Sequence, residues 1–134
     1  MEADYVLTYT ALMIILGLLV SSFNIYTGSD VTKFLVAIAE ASQKPGSVLE
    51  VRVLLGEGAS ITCDGRRITV KNAVIPRDVI KLYRSYGIGD GDSGSITLSM
   101  DINSFRMDGG YIYTVLIEST PSKIIVKIAE TRKI

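Results

Sequence analysis

The chain has 134 residues, with 14 basic and 14 acidic side chains, one cysteine and no histidine. This balanced charge does not indicate a nucleic-acid partner, and the lack of histidine excludes a nucleophile paired with histidine as well as a Cys/His zinc site. A single cysteine excludes a disulfide within the chain.

The segment from Tyr5 to Ser29 contains no charged residue. As an α-helix it would be longer than the roughly 20 residues that cross a hydrocarbon core of about 30 Å. We therefore predict a long N-terminal helix over 1–43, whose apolar half is a membrane span or a filament core. It is either one helix with a kink near 28–30 or two coaxial pieces, with Ser29 or Asp30 as the N-cap of the second. A cleavable signal peptide and a buried helix of a soluble domain are the competing interpretations. The acidic start at Glu2 and Asp4 disfavours the first, and the lack of a polar stripe disfavours the second.

The second half of this predicted helix, VTKFLVAIAEASQ, is amphipathic. Its apolar residues recur at helical spacing, opposite Lys33 and Glu40. We predict that its apolar face holds the helix to the following domain. The members of that face are Phe34, Leu35, Ile38 and Ala41. The run Lys44-Pro45-Gly46 is predicted to end the helix.

After Ser47 the hydrophobic period changes from about 3.6 to 2, which predicts strands. The first is VLEVRVLL. The dipeptide Asp64-Gly65 between ASITC and RRITVK predicts a hairpin with a tight two-residue turn. Three further strands are predicted in SITLSMDI, YIYTVLIE and KIIVKIAE, the last two as neighbours. Pro76 excludes a central strand position, so 77–86 is predicted as a short helix or an irregular edge segment.

Six strands without regular helical alternation predict an antiparallel β-sandwich over 44–134, of Greek-key or immunoglobulin-like topology. With the helix over 1–43, the predicted fold class is α+β: a long apolar N-terminal α-helix followed by a small β-sandwich head domain.

The sequence predicts no catalytic, cofactor or metal site, and therefore a protein that is not an enzyme. The stretch GDGDSG matches G-x-G-x-x-G, but it leads into a strand, and Asp90 and Asp92 would repel a pyrophosphate. The same loop departs from an EF-hand in its middle positions. A weak calcium site at Asp90 and Asp92 stays open beside a solvated loop tip. Cys63 lies in a strand-like run and is predicted to be a small buried residue.

An uncharged N-terminal segment that continues as an amphipathic helix and precedes a small β-domain resembles the type IV pilin superfamily. The all-β head resembles its archaeal branch, the archaeal pilins and archaellins. The local part of the resemblance is LVAIAEASQKPGSVLEVRVLLGEGASITCDGRRITV. The chain departs from the bacterial pattern at Tyr5, where glutamate is common. Met1 is either the initiator or the first residue left after removal of a basic leader.

The resemblance implies a structural subunit of an extracellular type IV pilus-like filament, a homopolymer of the chain that is inserted in the membrane before assembly. An apolar segment of this size must be covered by lipid or by copies of itself. The predicted helix-to-helix assembly residues are Val6, Leu12, Ile15, Leu16, Gly17, Leu19, Val20 and Phe23. The alternative is a single-pass, membrane-anchored accessory or minor protein whose β-domain binds a partner. The sequence does not distinguish adhesion, motility and DNA uptake.

Overall fold

The computed structural model of the protein describes residues 30–134. Over this range two short helices accompany nine strands. The elements are α1 (Val31–Ser42), β1 (Val48–Leu55), β2 (Ser60–Asp64), β3 (Arg67–Lys71), α2 (Arg77–Ser85), β4 (Gly89–Gly91), β5 (Ser95–Leu98), β6 (Asp101–Ile102), β7 (Phe105–Asp108), β8 (Tyr111–Ser119) and β9 (Lys123–Lys133).

The strands form two sheets. The four-stranded sheet has the order β1-β8-β9-β6 and the five-stranded sheet the order β4-β5-β3-β2-β7. The pair β6–β9 is parallel, and the other strand pairs of the described range are antiparallel. Alternation along β1 shows how the sequence builds a face, because Val51, Val53 and Leu55 are buried while Glu50 and Arg52 are exposed.

Helix α1 lies within the core. It packs against β1, β8 and β9 of the four-stranded sheet. It also reaches the five-stranded sheet, because the Phe34 ring meets the Phe105 ring of β7 edge to face with centroids 5.6 Å apart. The buried residues of α1 are Val31, Phe34, Leu35, Ile38, Ala39 and Ala41. Burial of this apolar face, rather than helix propensity, holds so short a helix in place.

Helix α2 follows Pro76 and packs on α1. The Pro76 backbone is extended, with φ −62° and ψ 149°, so the helix begins just after it. Tyr83 is fully buried, and its hydroxyl donates to the Leu35 carbonyl oxygen of α1 at 2.6 Å. At the end of α2, the Tyr86 hydroxyl lies 3.3 Å from Glu40 Oε1.

The predicted fold class, α+β with a long apolar N-terminal helix, is wrong. The residues 30–134 are mostly β, and the part of the predicted 1–43 helix that falls among them is a separate short helix, Val31–Ser42. The physical reason is at Asp30, whose backbone has φ −99° and ψ 35° and is bonded to β1 instead of continuing a helix. Residues 1–29 lie outside the described range.

The prediction of a transmembrane helix also needs correction. Neither α1 nor α2, the helices of the described range, is long and apolar enough to cross a membrane. The physical reason is the length and amphipathic pattern of both, since each has polar residues on its outer side and is shorter than the roughly 20 apolar residues of a span.

The predicted hairpin is confirmed, with its turn displaced by one residue. Asp64 pairs with Arg67, so the two turn residues are Gly65 and Arg66. Gly65 has φ +65°, and Arg66 is not among the residues with positive φ, a combination typical of a type II′ turn. The predicted neighbouring strands YIYTVLIE and KIIVKIAE are confirmed as the antiparallel pair β8–β9.

One predicted strand, SITLSMDI, is two strands in different sheets. β5 pairs with β3 in the five-stranded sheet, whereas β6 pairs with β9 in the four-stranded sheet. Between them, the Ser99 N–H donates to the Ile88 carbonyl oxygen at 2.8 Å. Ile96 and Leu98 are buried in the five-stranded sheet, and Ile102 is buried in the four-stranded sheet. The alternation of buried residues therefore continues from β5 to β6 and does not reveal that the chain changes sheets.

Candidate functional site

The chain enters the described domain at Asp30, beside the end of β1. The Asp30 N–H donates to the Leu54 carbonyl oxygen at 2.7 Å, and the Leu54 N–H donates to Asp30 Oδ2 at 3.0 Å. Asp30 therefore satisfies both backbone groups that Leu54 turns away from β8. We call this pair of hydrogen bonds the entry clamp. It fixes the position of Asp30, the first described residue, at the end of β1.

From the sequence alone, Asp30 is a candidate N-cap residue for α1. It stands at the N-cap position but makes no side-chain cap hydrogen bond, because its carboxylate bonds to Leu54 instead. A carboxylate before an amphipathic helix is a common capping signal, so the sequence offers no sign of this long-range partner.

Behind the entry clamp, α1 is held in the core by α2. Burial raises the pKa of Tyr83, so its hydroxyl keeps its proton and donates to the Leu35 carbonyl. The four residues predicted to hold the helix to the head are at most 1% exposed in the structure: Phe34, Leu35, Ile38 and Ala41. Tyr83 and Leu35 are 48 residues apart in the chain, so no local pattern signals this contact.

The predicted assembly residues lie outside the described range, and the structure therefore places none of them. They are Val6, Leu12, Ile15, Leu16, Gly17, Leu19, Val20 and Phe23.

The surface beside the entry clamp is partly apolar. Leu54, which forms the clamp, also lines a shallow groove with Tyr111 and Ile134. Tyr111 is 36% exposed and Ile134 is 63% exposed. The entry clamp therefore shares Leu54 with a groove that contains large, partly exposed apolar side chains.

The aspartates of the 89–94 loop are occupied by donors of the protein itself. Asp90 Oδ1 accepts from Arg84 Nε and from the Gly91 N–H, and these bonds lower the pKa of Asp90. Asp92 Oδ1 accepts from the Gly94 N–H at 2.9 Å and the Ser95 N–H at 3.0 Å, which lowers the pKa of Asp92. Within residues 30–134, no group of three potential metal-ligating side chains comes together. The two carboxylates thus shape the turn between β4 and β5.

Cys63 is a buried thiol. It is 5% exposed, on the inner side of β2. Burial, and secondarily the neighbouring Asp64 charge, raises the pKa of Cys63 to about 11. At neutral pH the side chain is therefore a protonated, small apolar group rather than a thiolate nucleophile.

The described residues form a two-sheet β-sandwich in which the apolar face of α1 packs into the core and Asp30 is bonded to the end of β1. Comparison of the chain with protein-family models, curated proteins and solved structures found no match.

Removal of the Asp30 carboxylate tests the entry clamp. We expect Asp30→Ala to lower the free energy of unfolding by about 1 to 3 kcal/mol, because the Leu54 N–H loses its acceptor in a partly buried place. Asp30→Asn keeps an acceptor oxygen and should lower the free energy of unfolding by less than half as much. Urea unfolding of the full chain, followed by far-UV circular dichroism, measures both. Equal stability of Asp30→Ala and the unsubstituted chain would contradict the clamp.

Proposed function

We propose that the protein is a structural subunit of an extracellular filament built from copies of itself. In this filament the uncharged segment 5–29 lies inside, covered by the same segment of neighbouring copies, and the β-sandwich faces outward. Before assembly, lipid covers the segment. The observation that carries the proposal is the direct connection of a segment without charge to a domain that receives it at one fixed point, the entry clamp.

The first support is the free energy of exposing the segment to water. Apolar surface costs about 25 cal/mol per Å² in water, so a segment of this composition is stable only when lipid or protein covers it. Copies of the chain supply such a cover at any length of the assembly, because the same contact repeats from one subunit to the next.

The second support is the orientation that the entry clamp imposes. Because Asp30 is bonded to Leu54 and α1 is buried directly after it, the sandwich cannot swing freely about its first residue. Repeated subunits can then place their sandwiches at equivalent positions on the outside. Packing at the entry end would also cover Tyr111 and Ile134, which are exposed in the single subunit.

A second candidate function is an anchored accessory protein whose β-domain binds a partner. The observation that favours it is the outer edge of β1, which no strand within 30–134 pairs. Sheet edges of this kind receive strands from binding partners. The two candidates differ in whether the full chain assembles by itself.

The experiment is negative-stain electron microscopy of the full chain after removal of detergent. We expect fibres with a regular subunit repeat. Leu16→Asp, which places a charge within the segment, should abolish them. Val74→Asp is the matched control, because Val74 is 53% exposed on the sandwich and a charge there stays in water. Dispersed single particles from the unsubstituted chain, or fibres that persist in Leu16→Asp, would overturn the filament proposal.

A further inference from the structure

β1 is an edge strand of the four-stranded sheet, with β8 on one side. The entry clamp shows that the backbone N–H and carbonyl of Leu54 point away from β8. Backbone groups alternate along a strand, so those of Arg52, Glu50 and Val48 point the same way. No strand of the described range pairs with them, and all three side chains are exposed.

The edge of β9 beyond β6 differs from the edge of β1. The β8–β9 pair contains a register shift between Thr114 and Val115, and exposed lysines stand at Lys127 and Lys133. Bulges and lysines are the usual means by which proteins prevent edge-to-edge pairing. β1 has neither, because its register with β8 is continuous from Val48 to Leu55 and its sequence is VLEVRVLL.

We propose that the outer edge of β1 pairs, antiparallel, with the same edge of a second copy of the chain, so that Glu50 lies opposite Arg52 of the second copy and Arg52 opposite Glu50. Both backbone groups of each residue then gain a partner, and the two four-stranded sheets become one continuous sheet.

Charge complementarity selects this register. Moving the second strand by two residues in one direction places Glu50 opposite Glu50. The opposite shift places Arg52 opposite Arg52. In the proposed register Val48 lies opposite Leu54 of the second copy, whose backbone groups the entry clamp already occupies, so the hydrogen-bonded pairs are limited to those of Glu50 and Arg52. Like charges directly opposite each other destabilise a strand pair, and opposite charges stabilise it by about 0.2 to 1 kcal/mol per pair. The proposed register is the one with two favourable pairs.

Pairing the same edge of two copies gives a contact with two-fold symmetry. A filament whose subunits all point in the same direction does not generate such a contact between its own subunits. The proposed contact would join subunits of two neighbouring filaments, or two subunits before assembly. The inference therefore does not depend on the proposed function. A contact of so few residues is weak in isolation and becomes effective where many copies face each other.

The test is amide hydrogen exchange at Glu50 and Arg52 in the full chain, kept in detergent so that filaments do not form. We expect exchange at both amides to slow about threefold or more when most copies are paired, and to quicken on dilution. Glu50→Arg and Arg52→Glu should each remove this protection. Protection should return in the double variant E50R/R52E and in an equimolar mixture of the two single variants. Lys81→Glu, which reverses an exposed charge on α2, is the control and should leave the protection at Glu50 and Arg52 unchanged.

Two results would overturn the proposal. One is fast exchange at Glu50 and Arg52 at every concentration. The other is protection of the wrong kind. Protection that both single variants retain would mean that the edge is paired in another register. Protection that does not change on dilution would mean that another part of the same chain covers the edge. Filament formation without detergent is scored separately by microscopy, so failure of the edge contact and failure of the filament are distinguishable.

Discussion

Gly109→Ala is expected to lower the free energy of unfolding by about 3 kcal/mol or more, because a methyl group at this position meets backbone that cannot move away. An added Cβ would lie 2.6 Å from the Ala59 carbonyl oxygen and 2.9 Å from the Gly58 nitrogen, and closer still to the Gly56 carbonyl oxygen. The 56–59 turn is itself fixed by the Ala59 N–H bond to the Gly56 carbonyl. The substitution must therefore separate two loops at one end of the sandwich.

Gly94→Ala is the matched control. Its added Cβ has an ordinary contact, 3.6 Å from Asp92 Oδ1, and Gly94 is not among the glycines with positive φ. We expect a change within about 0.5 kcal/mol. Urea unfolding of both variants, followed by tyrosine fluorescence, measures the difference. Similar stabilities of the two variants would show that the loops at Gly109 are not closely packed.

Local periodicity was sufficient to predict the parts of the fold whose contacts are local. The β2–β3 hairpin follows from β-branched residues on both sides of Asp64-Gly65, although the turn itself is Gly65-Arg66. Alternation along VLEVRVLL predicts which side of β1 faces the core, because the side-chain direction repeats every second residue. Both signals depend on neighbours a few residues apart.

The parts that were missed depend on contacts distant in the chain. Nothing in SITLSMDI shows that β5 and β6 pair with different sheets, since the choice is made by β3 and β9. The continuation of the predicted N-terminal helix through Asp30 was wrong for the same reason. The local sequence does not show whether a helix is continuous through Asp30, because the hydrogen bonds that fix its backbone are made to Leu54, 24 residues later.

The packing of α1 on the rest of the domain shows the same division. The amphipathic spacing of α1 identifies the side chains that the structure buries, Phe34, Leu35 and Ile38 among them. The partners that hold them, Phe105 and Tyr83, come from later elements and are invisible to a pattern within α1. The outer edge of β1 is likewise a property of strand order, which no single segment encodes.

Tyr83→Ala is expected to lower the free energy of unfolding by about 3 to 5 kcal/mol, because it removes the largest fully buried side chain between α1 and α2. The loss has two parts. One is the cavity left by the ring. The other is the hydrogen bond to the Leu35 carbonyl, which Tyr83→Phe removes alone, at an expected cost of about 1 kcal/mol.

Tyr111→Ala deletes the same side chain where it is 36% exposed, and we expect it to cost about 1 kcal/mol or less. Urea unfolding should therefore give a much lower free energy of unfolding for Tyr83→Ala than for Tyr83→Phe or Tyr111→Ala. Because α1 directly follows the point of entry at Asp30, Tyr83→Ala should also speed amide exchange along Val31–Ser42 more than along β2. Equal losses for Tyr83→Ala and Tyr111→Ala would mean that α2 does not hold α1 in place.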